Sequence, residues 1–481
     1  MYFSLIYLFS LISLSLSEER LVFLLTHFRH GARSPQRYYN KSSHLDYILE
    51  TWKTPGELTG SGQRMHYLLG LRNRERYIEN QTFLSYNFDP HEILIYSSSI
   101  NRTLISASSH LQGLYPEETG EILNSMQEED ALPQIKLSPK IEEIRKHMDG
   151  NALPHRISLA PIRMINNNER KIIMYDISEC VWRREEVKAK NLENMESLKN
   201  IVKTFNERFA KNLTVMFGDK TEYDIDFIEH MCDAYIAGFT ENKEMKEFNK
   251  TGIDKIQFLD FCFEFVTLNF KDWIAGDKER ALALLDVSKL MREFIYYMKK
   301  RLNADIKKEK IEDKYEDYSR PKMMMISAHD STISMVEIFF AKIFNNNDLD
   351  SFYKFPKFAT QIAFEVVTDK TDTKDFSDYK LKYYFNDELI FEKNVVDFLE
   401  SVEPALWSDE KINEYCQFDK KDNIDNDDKD ADKDLYFLLM IIFSSLSGLF
   451  LIGIVILVIL LRKKIREGSN RPSALLKNSE D

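Results

Sequence analysis

Leu21-Val22-Phe23-Leu24-Leu25-Thr26-His27-Phe28 runs directly into Arg29-His30-Gly31-Ala32-Arg33-Ser34-Pro35. The first part is apolar almost throughout and too short for a helix, so Leu21 to His27 is predicted to be a buried strand. The second part begins where that strand stops, at a place where a site can open. It sets an imidazole, His30, between two guanidiniums, Arg29 and Arg33. Arginine presents a rigid planar fork that matches phosphate oxygens two at a time, and a neutral imidazole can attack phosphorus while the anion is held. Gly31 and Pro35 fix a backbone course that a solvated charge cluster does not need.

Working outward, short apolar runs recur with helical segments between them. Glu92 to Tyr96, Met323 to Ser327, Gln361 to Val367 and Leu381 to Phe385 are further predicted strands. Thr59 to Tyr77, with Thr59 as N-cap, and Arg102 to Tyr115 are predicted helices after the first two strands, and Ser331 to Phe344 is a third helix. Alternation of this kind predicts an α/β domain whose central sheet is largely parallel and flanked by helices. From about Cys180 to Arg301 the pattern changes. Leu282, Leu285, Leu290, Phe294 and Met298 recur at helical spacing among Lys and Glu, and no strand-like run stands out. This predicts an inserted helical cap over about 180–315, roofing the carboxyl ends of the strands where such sheets bind ligands.

Two more tracts sit at predicted strand ends. Ser327-Ala328-His329-Asp330-Ser331-Thr332 follows the Met323 strand, and its adjacent imidazole and carboxyl can divide the labour of contacting a phosphate and supplying a proton. Ser97-Ser98-Ser99-Ile100-Asn101-Arg102-Thr103 follows the Glu92 strand and adds the guanidinium of Arg102 at a helix start, where backbone N–H groups favour anions.

The chain has 481 residues and a net charge of −13. Nucleic-acid binding is therefore not expected, and an anion site must be a local basic pocket in an acidic protein. Residues 1–17 are apolar and end in small residues, which reads as a secretory signal. The 27 uncharged residues 435–461 make about 40 Å of helix, enough to span a bilayer. Basic residues follow at once, and the acidic segment 418–434 precedes them as a solvated stalk. The expectation is a type I membrane protein: a main domain at 18–417 on the luminal or extracellular side, one C-terminal helix in the membrane, and a cytoplasmic tail at 462–481. All four cysteines, Cys180, Cys232, Cys262 and Cys416, fall on the luminal side, where an even count predicts disulfides in any of three pairings. Asn40, Asn80, Asn212 and Asn249 head glycosylation sequons on that side; Asn101 heads another, beside the pocket residue Arg102.

The R-H-G-A-R-S-P run, Arg102 within N-R-T-L-I-S-A, and S-A-H-D-S-T together resemble the histidine acid phosphatase family, its lysosomal and prostatic branch within the phosphoglycerate mutase-like superfamily, over about Leu21 to Cys416. The resemblance implies that His30 is the nucleophile and becomes a phosphohistidine. Arg29, Arg33 and Arg102 would hold the non-bridging oxygens, His329 would bond the same phosphate, and Asp330 would protonate the leaving alcohol. The implied substrate is a small phosphomonoester turned over at acidic pH, with no metal and no cofactor, since guanidiniums supply the positive charge. The resemblance also implies a Cys180–Cys416 pair; the family partner of Cys232 would fall near Gln361, and Cys232–Cys262 is the expected second pair. Homodimerisation is implied by analogy alone, and lysosomal or vacuolar membrane and cell surface both stay open. Tyr96 stands where the family usually has a further Arg. A phosphomutase of the same superfamily fits a secreted chain poorly. A non-catalytic surface receptor or adhesion protein on a phosphatase scaffold is the alternative of another class, opposed by retention of every residue named above.

Overall fold

The computed structural model describes residues 19–36, 50–52, 54–165, 180, 196–218, 220, 222–243, 246–275, 281–308, 321–344 and 352–416. The predicted signal, the stalk, the membrane span, the tail and Asn40 lie outside these residues. Among the described residues no helix is long and apolar enough to cross a membrane. The chain divides into two compact units, 1–415 and 416–481, and the architecture that follows is that of the first.

Strand β1 (Arg20–Arg29) is buried at every position from Leu21 onward. It accordingly sits inside a sheet, hydrogen-bonded on both sides, with helices packed on both faces. Among the described residues the sheet has seven strands in the order β3-β2-β4-β1-β5-β6-β7. They are β2 (Ile93–Ser98), β3 (Arg163–Ile165), β4 (Met323–Ala328), β5 (Gln361–Thr368), β6 (Lys380–Phe385) and β7 (Glu388–Asn394). Strands β3, β2, β4 and β1 are parallel, with Leu24 opposite Met323 and Arg29 opposite Ala328. Strands β5, β6 and β7 then pair antiparallel in succession.

The sheet is therefore mixed, which corrects the expectation of a largely parallel one. The cause lies in the links. The chain before β5 crosses the carboxyl end of β1, where the Arg29 N–H donates to Thr360 O at 2.9 Å and the Ala359 N–H donates to His30 O at 3.1 Å. Strand β5 thus starts at the end where β1 stops and can only run the other way. Strand β7 follows β6 through the two residues Asn386 and Asp387, Asn386 in the left-handed region at φ 54°, and so short a turn reverses the chain.

Helix α1 (Gly60–Arg74) begins as predicted, Thr59 Oγ1 accepting from the Gly62 N–H at 3.1 Å. Helix α2 (Asn101–Leu114) follows β2. Both pack on one face of β1, where Phe28 stacks on His110 with ring centroids 4.7 Å apart and leans on His66 at 4.9 Å. On the other face Phe23 meets Phe294 at 5.7 Å.

Between β3 and β4 the described regular elements are all helical, the four longest being α3 (Glu196–Phe205), α4 (Ile225–Thr240), α5 (Lys255–Ala275) and α6 (Ala281–Ile306). The expected cap boundary at 315 lies outside the described residues. Leu198, Ile201 and Phe205 recur at i, i+3 and i+7 of α3 and are buried. Phe205 meets Phe209, Phe227, Phe258 and Phe261, which gives the cap a core of its own. The disulfide Cys232–Cys262 ties α4 to α5 beside it.

Helix α7 (Asp330–Phe344) closes the sheet face opposite α1 and α2. Its Glu337 is fully buried and accepts from Tyr383 Oη of β6, while Oε2 has no hydrogen-bond partner among the described residues. Burial pushes this carboxyl from its ordinary 4.5 up to about 8, against the opposing pull of the Tyr383 hydroxyl. Between those values the folded protein keeps a proton that the unfolded chain has lost, so stability falls as pH rises through the window. The expected outcome is an unfolding free energy, from urea titration, that declines from pH 6.5 to pH 8 with a slope of at most about 1.4 kcal/mol per pH unit for this one proton, the limit for a single site. Glu337→Gln should flatten that decline; an unchanged slope would show that Glu337 is ionised in the fold.

Candidate active site

The residue that follows β1 is His30, which is 2 % exposed. Its loop lies against the start of α1 so closely that a Cβ on Gly31 would come within 2.3 Å of Gly62 O, and one on Gly62 within 2.2 Å of Ala32 O. Only the glycine pair allows that approach, and the approach fixes where the imidazole stands. His30 Nδ1 lies 2.9 Å from Gly31 O. A carbonyl only accepts, so Nδ1 carries the proton and Nε2 keeps its lone pair.

Three guanidiniums surround this ring. Arg29 closes β1, stacks its guanidinium 4.4 Å above the Phe358 ring and donates to Pro356 O at 2.7 Å and to Asp330 Oδ2 at 2.7 Å. Arg33 donates to Ser34 O at 3.0 Å and to Asp233 Oδ1 at 2.8 Å. Arg102, in the first turn of α2, is 8 % exposed, with Nε unpartnered among the described residues. Burial first, then the field of Arg33, push Arg102 down to about 10.

From the end of β4 come His329 and Asp330. The His329 ring meets that of His30 edge-on, centroids 5.7 Å apart, and its Nε2 lies 3.0 Å from Ser98 Oγ. Thr332 Oγ1 donates to His329 O at 2.7 Å and accepts from the His329 N–H at 3.2 Å, capping α7. Because Thr332 does the capping, Asp330 is not consumed as an N-cap. One carboxylate oxygen accepts from the Ser331 N–H at 2.9 Å and the other turns to Arg29.

All six predicted residues, Arg29, His30, Arg33, Arg102, His329 and Asp330, are thus gathered at adjacent strand ends. Reading the sequence missed four partners. Asp233 comes from the cap helix α4, and one carboxyl in an acidic chain carries no local signal. Pro356 and Phe358 belong to the link that inverts β5, and Ser98 bears on the site through a side chain common to any loop. A cavity of about 320 Å³ opens from Arg29, Arg33 and Asp330 toward the cap. Among the described residues no group of three or more His, Cys, Asp or Glu is placed to hold a metal ion. Cys180 and Cys416 are both disulfide-bonded, so none of the four thiols is free. Asn80, Asn212 and Asn249 are exposed, and the Asn212 side-chain amide donates to Thr251 O at 2.8 Å.

Comparison with known proteins decides the family. The model of the histidine phosphatase superfamily (branch 2) matches residues 20–386. The chain belongs to that superfamily. A lysosomal acid phosphatase of Xenopus laevis is 32% identical over 174 residues, which are 36% of this chain and 32% of that protein. A prostatic acid phosphatase of Mus musculus is 24% identical over 335 residues, 66% of this chain and 70% of that protein. The chain thus spans about a third of the length of the Xenopus laevis relative. A solved multiple inositol polyphosphate phosphatase of Bifidobacterium longum has a TM-score of 0.48 at 12% identity, over 78% of this chain and 88% of that one.

In this member of the superfamily the field of the site decides which form each group takes. Burial first, and then Arg29, Arg33, Arg102 and His329, hold His30 well below the ordinary imidazole value. Burial and Arg102 push His329 down to about 4. Asp330 is pulled two ways: burial raises it, but Arg29, Arg33 and His329 outweigh burial and keep it below the usual carboxylate value. His30 should therefore stay neutral, protonated on Nδ1 alone, from pH 7 to pH 5. Nitrogen-15 NMR of histidine-labelled protein checks this: the Nε2 resonance should hold at the unprotonated position across that range, and a shift with midpoint near 6.5 would contradict it.

Proposed function

We propose that this histidine phosphatase hydrolyses phosphate monoesters through a phosphohistidine at His30, on the luminal or extracellular side of a membrane. The observation that carries the reading is a buried His30 whose Nδ1 lies against Gly31 O and whose ring Arg29, Arg33 and Arg102 keep well below the ordinary imidazole value. The lone pair of Nε2 forms the N–P bond as the bond from phosphorus to the leaving oxygen breaks. Arg29, Arg33 and Arg102 offset charge on the three equatorial oxygens, and His329 adds a hydrogen bond. Asp330 gives its proton to the departing alcohol. In the second half, water attacks phosphorus, the N–P bond breaks back to Nε2, and Asp330 recovers a proton from that water.

Asp330 must be protonated in the first half while His30 must not be. A phosphoryl dianion brings two negative charges among the guanidiniums that otherwise hold the carboxyl down, and so raises Asp330 once substrate is bound. His30 can bear that rise, because burial as well as the arginines keeps it neutral. The reading therefore includes an acidic optimum, in keeping with a lysosomal or vacuolar lumen, which the similarity to lysosomal acid phosphatases supports. Anchorage through the helix at 435–461 rests on its length, its lack of charge and the basic residues after it.

The decisive experiment uses the full-length protein in detergent with a generic aryl phosphate near pH 5. Turnover should survive chelator, His30→Ala should abolish it, and rapid quenching with labelled substrate should trap phosphate on His30. Asp330→Ala should slow alkyl esters about a hundredfold or more while sparing activated aryl esters, whose leaving groups need no proton. Equal losses on both would mean that another group is the acid. In the parent kcat should fall as pH rises through the value of Asp330 in the complex, and Asp330→Asn should remove that limb.

A further inference from the structure

Resting on the phosphomonoesterase reading above, we propose that Ser98 and Thr103 are positioning residues that fix the tautomer of His329 and leave its Nδ1 an acceptor, so that the site takes up one proton at His329 with each phosphoryl dianion it binds. A chain of hydroxyls that can run in one direction only carries this, together with a ring nitrogen that has nothing else to bond.

The direction follows from counting hydrogens. Thr103 Oγ1, in the first turn of α2, lies 2.8 Å from Ile100 O and 3.1 Å from Ser98 O. A carbonyl only accepts, so the one hydroxyl hydrogen of Thr103 is committed to these two oxygens. The 2.6 Å contact between Ser98 Oγ and Thr103 Oγ1 therefore takes its hydrogen from Ser98. Ser98 Oγ then has only lone pairs for His329 Nε2, 3.0 Å away, and Nε2 must carry the proton of the neutral ring. The bare nitrogen is Nδ1, which makes no hydrogen bond among the described residues. Thr332 pins the His329 backbone and Ser98 pins Nε2, so the ring has its Nδ1 to offer an anion held beside His30, whose ring centroid is 5.7 Å away.

A lone pair and a phosphoryl oxygen repel unless a proton lies between them. A monoester monoanion brings that proton itself, and a dianion draws it from solvent; in both cases it ends between a non-bridging oxygen and Nδ1, and it leaves again with the departing phosphate. The surroundings favour the change only when the anion is present. Around the ring stand His27 and Arg29 of β1, His30 and Arg33 of the loop after it, Arg102 of α2 and Asp330 of α7, with Asp233 of α4 paired to Arg33. Burial first, then Arg102, Arg29 and Arg33, hold His329 at about 4 in the free site against the pull of Asp330, and two added negative charges oppose those cations. Affinity for a dianion then falls as pH rises above that value, by up to about tenfold per unit, until the value of His329 in the complex is passed. This limb belongs to binding and KM, whereas that of Asp330 belongs to kcat.

The test uses sulfate, which stays a dianion from pH 5 to pH 7 and is not consumed, on full-length Asp330→Asn protein in detergent, so that the neighbouring carboxyl does not titrate. The dissociation constant should rise about tenfold from pH 5 to pH 6. Nitrogen-15 NMR of the same histidine-labelled protein at pH 5 should show His329 protonated on Nε2 alone without sulfate and on both nitrogens with it; this arm needs no change at positions 98 or 103. Adding His329→Gln should flatten the pH dependence. Adding Ser98→Ala, or Thr103→Val, which frees the Ser98 hydroxyl to donate to Nε2, lets the neutral ring carry its proton on Nδ1 and should cut the rise to about threefold or less, whereas Ser98→Thr keeps the hydroxyl and should restore it. A dissociation constant level from pH 5 to pH 6, a free His329 protonated on Nδ1, a proton that appears on His30 instead, or a rise unchanged in both Ser98→Ala and Thr103→Val overturns the inference. So does the absence of sulfate binding at every pH. Phosphate trapped on His30 of the parent protein alongside any of these results leaves the phosphatase reading standing, and failure to trap it overturns that reading separately.

Discussion

Three guanidiniums buried around one imidazole repel one another, and the site exists because that repulsion is contained before any substrate arrives. Like charges 4 Å apart repel by about 4 kcal/mol at an effective dielectric of 20, which is a large fraction of what holds a domain together. Containment is distributed. Arg29 is held by Asp330, the Pro356 carbonyl and the Phe358 ring, and Arg33 by Asp233. Arg102 makes no direct ion pair with either carboxylate among the described residues, and burial first, then the field of Arg33, outweigh the pull of Asp330 and Asp233 and push it down to about 10. A bound phosphoryl group takes over the work of the carboxylates, so the energy that keeps the arginines together becomes available to the anion.

The same field explains how an imidazole can be a nucleophile in acid. An exposed histidine is largely protonated near pH 5, yet here burial and three cations keep the ring neutral. The arrangement costs stability. His27, His66 and His329 are also depressed, to about 3, 4 and 4, so below pH 6.5 the unfolded chain takes up protons that the fold refuses, and the fold weakens as pH falls toward 4. Glu337 acts with the opposite sign, since its raised value makes the fold weaken as pH rises above 4.5. The two trends overlap between about 4.5 and 6.5, and there the buried carboxyl offsets part of what the histidines cost.

Much of this was legible in the sequence wherever the information is local. Leu21 to Phe28 announces a strand buried on both faces because all but Thr26 and His27 are apolar, and the arginines, His30, His329 and Asp330 announce themselves because each tract abuts such a strand. The direction of β5 was not legible. It depends on hydrogen bonds from Arg29 and Ala359 backbone across the end of β1, a tertiary fact with no local pattern. Strand β7 was missed because it is an edge whose residues, Glu388, Glu392 and Lys393 among them, face solvent and do not alternate with apolar ones. Strand β3 is three residues long and exposed, too short for any period to register. Asp233 was invisible for a related reason. Its meaning comes from Arg33, 200 positions away in sequence, and nothing on α4 distinguishes it from a solvated carboxylate.

That long-range pair also divides the labour between the two halves of the pocket. Helix α4 reaches the core through two carboxylates about two turns apart: Asp233 on Arg33, and Glu241, which accepts from Thr59 Oγ1 at 2.6 Å and Ser61 Oγ at 3.0 Å at the start of α1. Thr59 Oγ1 also lies 3.0 Å from Ala32 O, one residue from the glycine that seats His30. The cap is therefore fastened to the same backbone that positions the nucleophile. The phosphoryl half of the pocket is built from strand ends, whose positions the sheet dictates. The half that faces the leaving group is built from α4, α5 and the link before β5, and of its half-buried rings only those of the link, Phe355 and Phe358, lie against the Arg29 guanidinium. Substitutions there can change which alcohol is accepted without disturbing the charge balance that makes His30 reactive, whereas a change at Asp233 or Glu241 alters the fit of the cap and the field on the phosphate together.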